Sequence, residues 1–231
     1  MFKMELHVHT KYASGCGKMD AESIVRSYLD AGYSGIMLTD HYNRFTLWYP
    51  KKLPLGNDLH GFLEGFNLVK EAGDRLGLKV YQGAEIRFDE AANDYLLFNY
   101  PDELLADPDG IFEMGLEKFS QLMHQTDAML IQAHPCRSSS TPACHPVNSA
   151  FLDGVEVFNA CIGNINNNQD ALRYAEANPS LIRTQGSDCH RPEGVGLAGI
   201  GCDYLPCDEA ELVKMLRCGE FSLLEHNETT I

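Results

Sequence analysis

The sequence predicts a single α/β barrel-like domain, and three observations lead there. Short apolar runs alternate with helical stretches, with no linker between them. The length of 231 residues suits one large domain, and a hydrophobic content of 44% supplies a sizeable core. Most telling, seven potential metal ligands sit at the ends of apolar runs. They are His7 and His9 in ELHVHT, His41 in LTDHYNR, Glu85 in YQGAEIR, His134 in LIQAHP, and Asp188 and His190 in QGSDCH. Strands that stop repeatedly at ligands gather them at one mouth of a parallel sheet or barrel, where such folds keep their chemistry.

Phe2 to Val8 reads as the first strand. A helix follows from Ala21 to Ala31, with Asp20 as its N-cap and Gly32 ending it. Gly35 to Thr39 is a short buried strand, and the loop HYNRFTLWYPKKLPLGN after it is long and aromatic. Asp58 to Leu76 is an amphipathic helix, because Leu59, Phe62, Phe66, Val69 and Ala72 keep helical spacing. Lys79 to Ala84 is a strand ending at Glu85, and Tyr95 to Phe98 is another, preceded by Asn93 and Asp94. A helix is expected over Leu116 to Gln125 and a strand over Ala128 to Ala133, ending at His134. Gly154 to Phe158 and Leu181 to Gln185 are strands separated by a helix over Gln169 to Ala177, which stops before Pro179. A helix from Asp208 to Arg217 stops at Gly219, Phe221 to Leu224 forms a last strand, and EHNETTI reads as a frayed end.

Net charge is −15, from 33 acidic and 18 basic residues. Such a field repels polyanions, so no long duplex nucleic acid is expected as a partner. A small anionic substrate remains compatible if metal ions make the pocket locally positive. The opening MFKMELHVHT carries no apolar signal core, and no apolar run approaches membrane-spanning length, so a cytoplasmic protein without a membrane partner is expected. None of the eight cysteines forms a C-x-x-C pair, so reduced thiols are expected. Cys16, Cys136 and Cys189 fall in the loops expected around the site, as ordinary small residues or, for Cys16, as a metal ligand.

His7 and His9 are two apart on a strand, so both imidazoles share a face while Val8 packs on the other. Imidazole and carboxylate together bind Zn, Mn or Fe, and two or three divalent ions are expected here. Glu85 is the best-placed bridging carboxylate. Clustered ions lower the pKa of a bound water and stabilise the attacking and leaving oxygens of a phosphoryl displacement. No Ser–His–Asp set or glycine-rich nucleotide loop competes. The stretch GVGLAGIG follows His190 without lying between a strand and a helix.

The segments HVHT, LTDH, GAEI, AHP and SDCH, in this order from His7 to His190, resemble the PHP family, named for polymerase and histidinol phosphatase. The resemblance implies a distorted (β/α)7 TIM-like barrel over residues 1–231, a trinuclear metal site at its C-terminal mouth, and phosphoesterase activity. It implies one ion on His7, His9, Glu85 and Asp188, a second on Glu85 and His134, and a third on His41 and His190. Two positions depart from the family pattern. Asp94 stands where a histidine usually ligates the second ion, and the loop TKYASGCGKMD has no histidine or aspartate before Asp20, leaving Cys16 or water for the third. Glu85, Asp188 and His190 are the expected catalytic residues, with His190 or a water assisting the leaving oxygen. Arg44, Arg137 and Arg191 are candidates to bind a phosphate, which guanidinium grips bidentately. Glu156 would orient a ligand histidine or pair with a loop arginine. Tyr42, Trp48 and Tyr49 would line a ring pocket or simply pack.

The expectation is a metal-dependent phosphoesterase acting on a small phosphorylated metabolite or nucleotide, with histidinol phosphate as a specific guess. The alternatives are a metal- or partner-binding domain without turnover, and an amidohydrolase-type hydrolase. The latter expects a bridging lysine where Glu85 and Asp94 stand.

Overall fold

The computed structural model describes residues 1–47, 53–140 and 142–225. The chain opens with β1 (Phe2–Val8), α1 (Ala21–Asp30), β2 (Gly35–Leu38) and the two-residue β3 (His41–Tyr42). Then come α2 (Arg44–Leu47), α3 (Leu59–Leu76), β4 (Lys79–Arg87) and β5 (Asp94–Phe98). Two short helices, α4 (Pro108–Met114) and α5 (Leu116–Met123), lead to β6 (Met129–Gln132), β7 (Gly154–Asn159), α6 (Asn168–Ala177) and β8 (Ile182–Gly186). The chain closes with β9 (Ile200–Cys202), α7 (Glu209–Cys218) and β10 (Phe221–Leu223). The expected frayed end, from residue 226 on, lies outside the described residues.

Local chemistry sets the helix limits. The side chains of Asp20, Asp58 and Asp208 accept hydrogen bonds from Ser23, Gly61 and Glu211 backbone N–H groups and so start α1, α3 and α7. Gly77, at φ 93°, and Gly219, at φ 68°, end α3 and α7 in the left-handed conformation that favours glycine.

The strands form one sheet in the order β10-β9-β1-β2-β4-β5-β6-β7-β8. β1, β2 and β4 run parallel to one another, as do β6, β7 and β8. β5 runs antiparallel to both neighbours. The short connection between β4 and β5 explains the reversal, because a parallel crossover needs a dozen or more residues. β9 and β10 continue the sheet antiparallel from the start of β1.

The sheet curls until its far edge returns to β1. Val8 bridges Cys189 in parallel, with Cys189 N–H donating to His7 O at 3.1 Å and His9 N–H donating to Cys189 O at 3.0 Å. Seven strands, β1, β2 and β4 to β8, thus make a nearly closed, distorted TIM-like barrel. The buried carboxyl of Glu5 reinforces the seam by accepting from Ser187 N–H at 3.0 Å and Ser187 Oγ at 2.6 Å.

Helices cover the sheet in three apolar patches. Ile24, Val25 and Tyr28 of α1 and Val69 and Ala72 of α3 pack on Ile36, Leu38 and Val80. Phe112 of α4 and Phe119 of α5 pack on Ile86, Tyr95, Leu97 and Leu130. Leu212, Val213, Met215 and Leu216 of α7 pack on Met4, Leu6, Tyr81 and Phe98. Among the described residues, no helix is long and apolar enough to cross a membrane.

Gly186 shows how tight the seam is. A Cβ there would overlap Glu156 Oε1 and lie 2.5 Å from His7 Cβ. Gly186→Ala should therefore destabilise the protein by about 1–3 kcal/mol, as overpacking does. The urea midpoint measures this, and an unchanged midpoint would show that the seam has room to spare.

Candidate metal centre

The strand ends converge as the ligand pattern requires. His7 lies on β1, His9 just past it, His41 on β3 and Glu85 on β4. His134 follows β6, and Asp188 and His190 follow β8. Asp94 begins β5. Because that strand is reversed, its start stands at the mouth where the parallel strands end, paired with Arg87 at the end of β4.

Glu85 sits at the centre of the donor set. Its Oε1 lies 3.5 Å from His7 Nε2 and 3.0 Å from His134 Nε2, and its Oε2 lies 3.5 Å from His9 Nε2 and 2.5 Å from His41 Nδ1. Asp188 Oδ1 lies 3.5 Å from His7 Nε2, 3.0 Å from His9 Nε2 and 3.3 Å from His190 Nδ1. Asp94 Oδ2 stands 3.8 Å from His134 Nε2 while Arg87 grips both Asp94 oxygens. Donor atoms within 4.8 Å of one another form five overlapping groups: His7–His9–Glu85, His7–His134–Asp188, Glu85–Asp94–His134, His9–His41–His190 and Cys161–Asp188–His190.

Hydrogen bonds fix which imidazole nitrogen faces this cluster. Glu156 Oε1 accepts from His7 Nδ1 at 2.9 Å. Ser14 Oγ donates to Asp40 Oδ1 at 2.6 Å, so it accepts from His9 Nδ1 at 3.1 Å. The Asp188 carbonyl can only accept, so His190 Nδ1 donates to it at 2.8 Å. In all three histidines the proton is held at Nδ1, and the Nε2 lone pair is left to coordinate. Glu156 Oε2 also accepts from the His134 backbone N–H at 2.9 Å, so one carboxylate sets two ligands.

The donor set fits divalent ions on an observation of its own. Eight buried side-chain polar atoms among the described residues lack a hydrogen-bond partner, and five face the cluster: His7 Nε2, His9 Nε2, His41 Nδ1, Glu85 Oε2 and Asp188 Oδ1. Buried polar atoms are rarely left so, and a cation is the partner these lack. Four buried carboxylates, Glu85, Asp94, Glu156 and Asp188, also face only two guanidiniums, Arg87 and Arg137.

The electrostatics tell the same story. Burial pushes the Glu85 carboxyl up, but His41, His7 and His134 outweigh it and hold it well below the usual range. Burial opposes ionisation of Asp188 too, and His7, Arg137 and His190 override it. Burial pulls His7 down, yet Glu156, Asp188 and Glu85 raise it well above an ordinary imidazole. Burial, His190 and His41 together keep His9 well below the normal value, so it stays neutral and ready to ligate. Burial raises the Cys16 thiol, but His41 and His190 bring it down to about 6, the range of a reactive thiolate. Protons on the imidazoles thus occupy the places that divalent cations would take.

The backbone is strained at two of these ligands. His134 has φ 29° and Asp188 has φ 49°, left-handed values that non-glycine residues rarely adopt and that cluster at functional sites.

The arginines separate. Arg137 is buried and donates to Asp188 Oδ2 at 2.6 Å, to Asn159 Oδ1 at 3.0 Å and to Asn166 Oδ1 at 2.8 Å, so it positions a ligand. Arg191 is exposed and lines a cavity with Cys16, Cys161, Asn164, Asp188 and His190. Arg44, the third candidate for a phosphate, is engaged at the surface by Asp89, Asp109 and Glu113. Tyr42 is fully buried against Phe62, its hydroxyl donating to the Leu105 carbonyl, so it packs in the core. Trp48 and Tyr49 lie outside the described residues. Sequence reading missed Asp40, which accepts from Thr10 N–H and Thr10 Oγ1, each at 2.7 Å, and clamps the loop after β1. Its place next to His41 in LTDH was the available signal.

Residues 5–169 match the family model of the PHP domain. The chain belongs to the PHP domain family. No curated protein matches it closely enough to report. Among solved structures, it is similar to a two-domain protein from Bacteroides vulgatus containing a predicted PHP-like metal-dependent phosphoesterase. That match has a TM-score of 0.70 and 16% identity over 97% of this chain and 65% of the other. It is also similar to a lesion-specific endonuclease from Pyrococcus furiosus, at TM-score 0.62 and 14% identity over 96% of this chain and 57% of the other. A third likeness is to an amidohydrolase from Chromobacterium violaceum with bound sulfate, at TM-score 0.54 and 13% identity over 99% of both chains. At these identities the likeness is one of fold, and the chain spans less than two thirds of the first two proteins.

Zinc added to metal-stripped protein should stabilise the PHP domain by about 4 kcal/mol at a thousandfold excess over Kd. His7→Ala should remove most of that gain. Urea unfolding with and without zinc measures it; equal midpoints in the unsubstituted protein would show that the cluster takes no ion.

Proposed function

We propose that this PHP domain is a metal-dependent hydrolase of phosphoric esters, acting on a small phosphorylated metabolite or nucleotide. The observation that carries the reading is the set of overlapping His/carboxylate groups joined through Glu85 and Asp188 at the barrel mouth. Divalent ions bound there would supply Lewis acidity, lowering the pKa of water and offsetting charge on phosphoryl oxygens.

The chain's own residues set the stage for that chemistry. Glu85 and Asp188, each within reach of several imidazoles, would hold the ions together with those histidines. Arg137 and Glu156 hold Asp188, His7 and His134 in place, and preorganised charge costs no rearrangement during reaction. Arg191 offers an exposed guanidinium at the same cavity, suited to a phosphate oxygen. His190 has only Nε2 left for the cavity, so that atom serves as an ion ligand or as the acid for the leaving oxygen, not both at once. The cavity wall around Ile162, Asn164 and Glu193 is where the rest of a small substrate would lie. Histidinol phosphate is one such molecule. The net charge of −15 favours a small anion over a long duplex.

Elemental analysis paired with phosphate release from a panel of phosphomonoesters tests the reading. Glu85→Gln and Asp188→Asn should each remove several kcal/mol of charge stabilisation, on the order of a thousandfold in kcat/KM, with the fold retained by circular dichroism. Full activity in either variant would rule the assignment out. Bound metal without turnover on monoesters or diesters would favour a domain that binds without catalysis.

A further inference from the structure

The loop after β1 has no histidine or aspartate between His9 and Asp20, yet it brings a sulfur to the edge of the donor set. Cys16 lines two cavities, one with Asp188, His190 and Cys161, the other with His41, Phe45 and Thr46. It thus lies between His190 and His41, near enough for the thiol and both rings to interact electrostatically. The donor nitrogens of His9, His41 and His190 themselves lie within 4.8 Å of one another. His9 Nε2, on a residue with no exposed surface, and His41 Nδ1 have no hydrogen-bond partner.

The loop is built to hold Cys16 there. Asp40 clamps Thr10 and Ser14 at its start. Gly17 N–H donates to Ser14 O at 2.9 Å, and Gly17 lies so close to the Thr10 carbonyl that a Cβ would overlap it. Lys18 N–H then donates to His190 O at 2.9 Å, tying the residue two past Cys16 to a ligand of the same group.

We propose that Cys16 Sγ is a metal ligand that completes, with His41 and His190, the outer ion position, with His9 as the neighbouring nitrogen. This rests on the metal-dependent reading of the cluster and adds a chemical preference to it. Three imidazoles and one thiolate form a four-coordinate set suited to zinc or iron(II), and two imidazoles with the thiolate leave the fourth place to water. Manganese and magnesium prefer oxygen, and the carboxylate-rich positions on Glu85, Asp94 and Asp188 suit them better. The outer position therefore discriminates among metals in a way the inner ones do not.

Cobalt(II) is the probe. The full chain, stripped of metal and reloaded with cobalt, should show a sulfur-to-cobalt charge-transfer band in the near ultraviolet. Cys16→Ser should lose the band while still binding cobalt at the carboxylate positions, which also shows that the variant is folded. Cys161→Ser and Cys144→Ser, which remove thiols beside His190 and His134, should keep it. A cobalt-loaded chain without the band, or a band that survives Cys16→Ser or disappears with Cys161→Ser, would overturn the assignment while leaving the metal centre standing. A chain that binds no cobalt at all would overturn both.

Discussion

Everything at the barrel mouth depends on keeping Glu85 and Asp188 charged where water does not reach. Both carboxylates are buried, and an uncompensated charge in such a place costs several kcal/mol. The protein meets that demand from all sides of the ring. Histidines from β1, β3 and the ends of β6 and β8 turn toward the two groups, and Arg137 reaches across to Asp188. Glu156 is held back from the centre and acts on the histidines instead, fixing His7 and His134. The result is a preorganised cage whose unmet need is positive charge.

Much of this was legible in the sequence because it is written locally. A strand's two-residue period puts His7 and His9 on one face, and all seven leading ligands come together in space. Asp94 stands beside them, on a strand that is reversed. What stayed hidden depends on partners far along the chain. β3 and β9 are two and three residues long, too short to leave a pattern. Glu156 could be read two ways because nothing near it says that His7, 149 residues away, is its partner. Arg44 looked available because His41 is close in sequence. Its guanidinium instead meets carboxylates 45 to 69 residues further on, and adjacency does not fix where a long side chain turns. Asp40 was visible in LTDH, but its work on Thr10 and Ser14 appears only once the first two strands lie side by side.

The seam between β1 and the segment after β8 also governs when the centre can exist. Glu5 meets Ser187, 182 residues later, His7 and His9 bond to Cys189, and Lys18 bonds to His190. Contacts so distant in sequence form late, since the loop entropy they close is paid before they are made. During synthesis, which runs from the N-terminus, the H-x-H pair emerges long before Asp188 exists to face it. A nascent chain can offer its first two imidazoles to any passing ion, but not the cage. The choice of metal is thus deferred to the finished barrel, and a chain cut short before residue 188 forfeits the centre however well its first half folds.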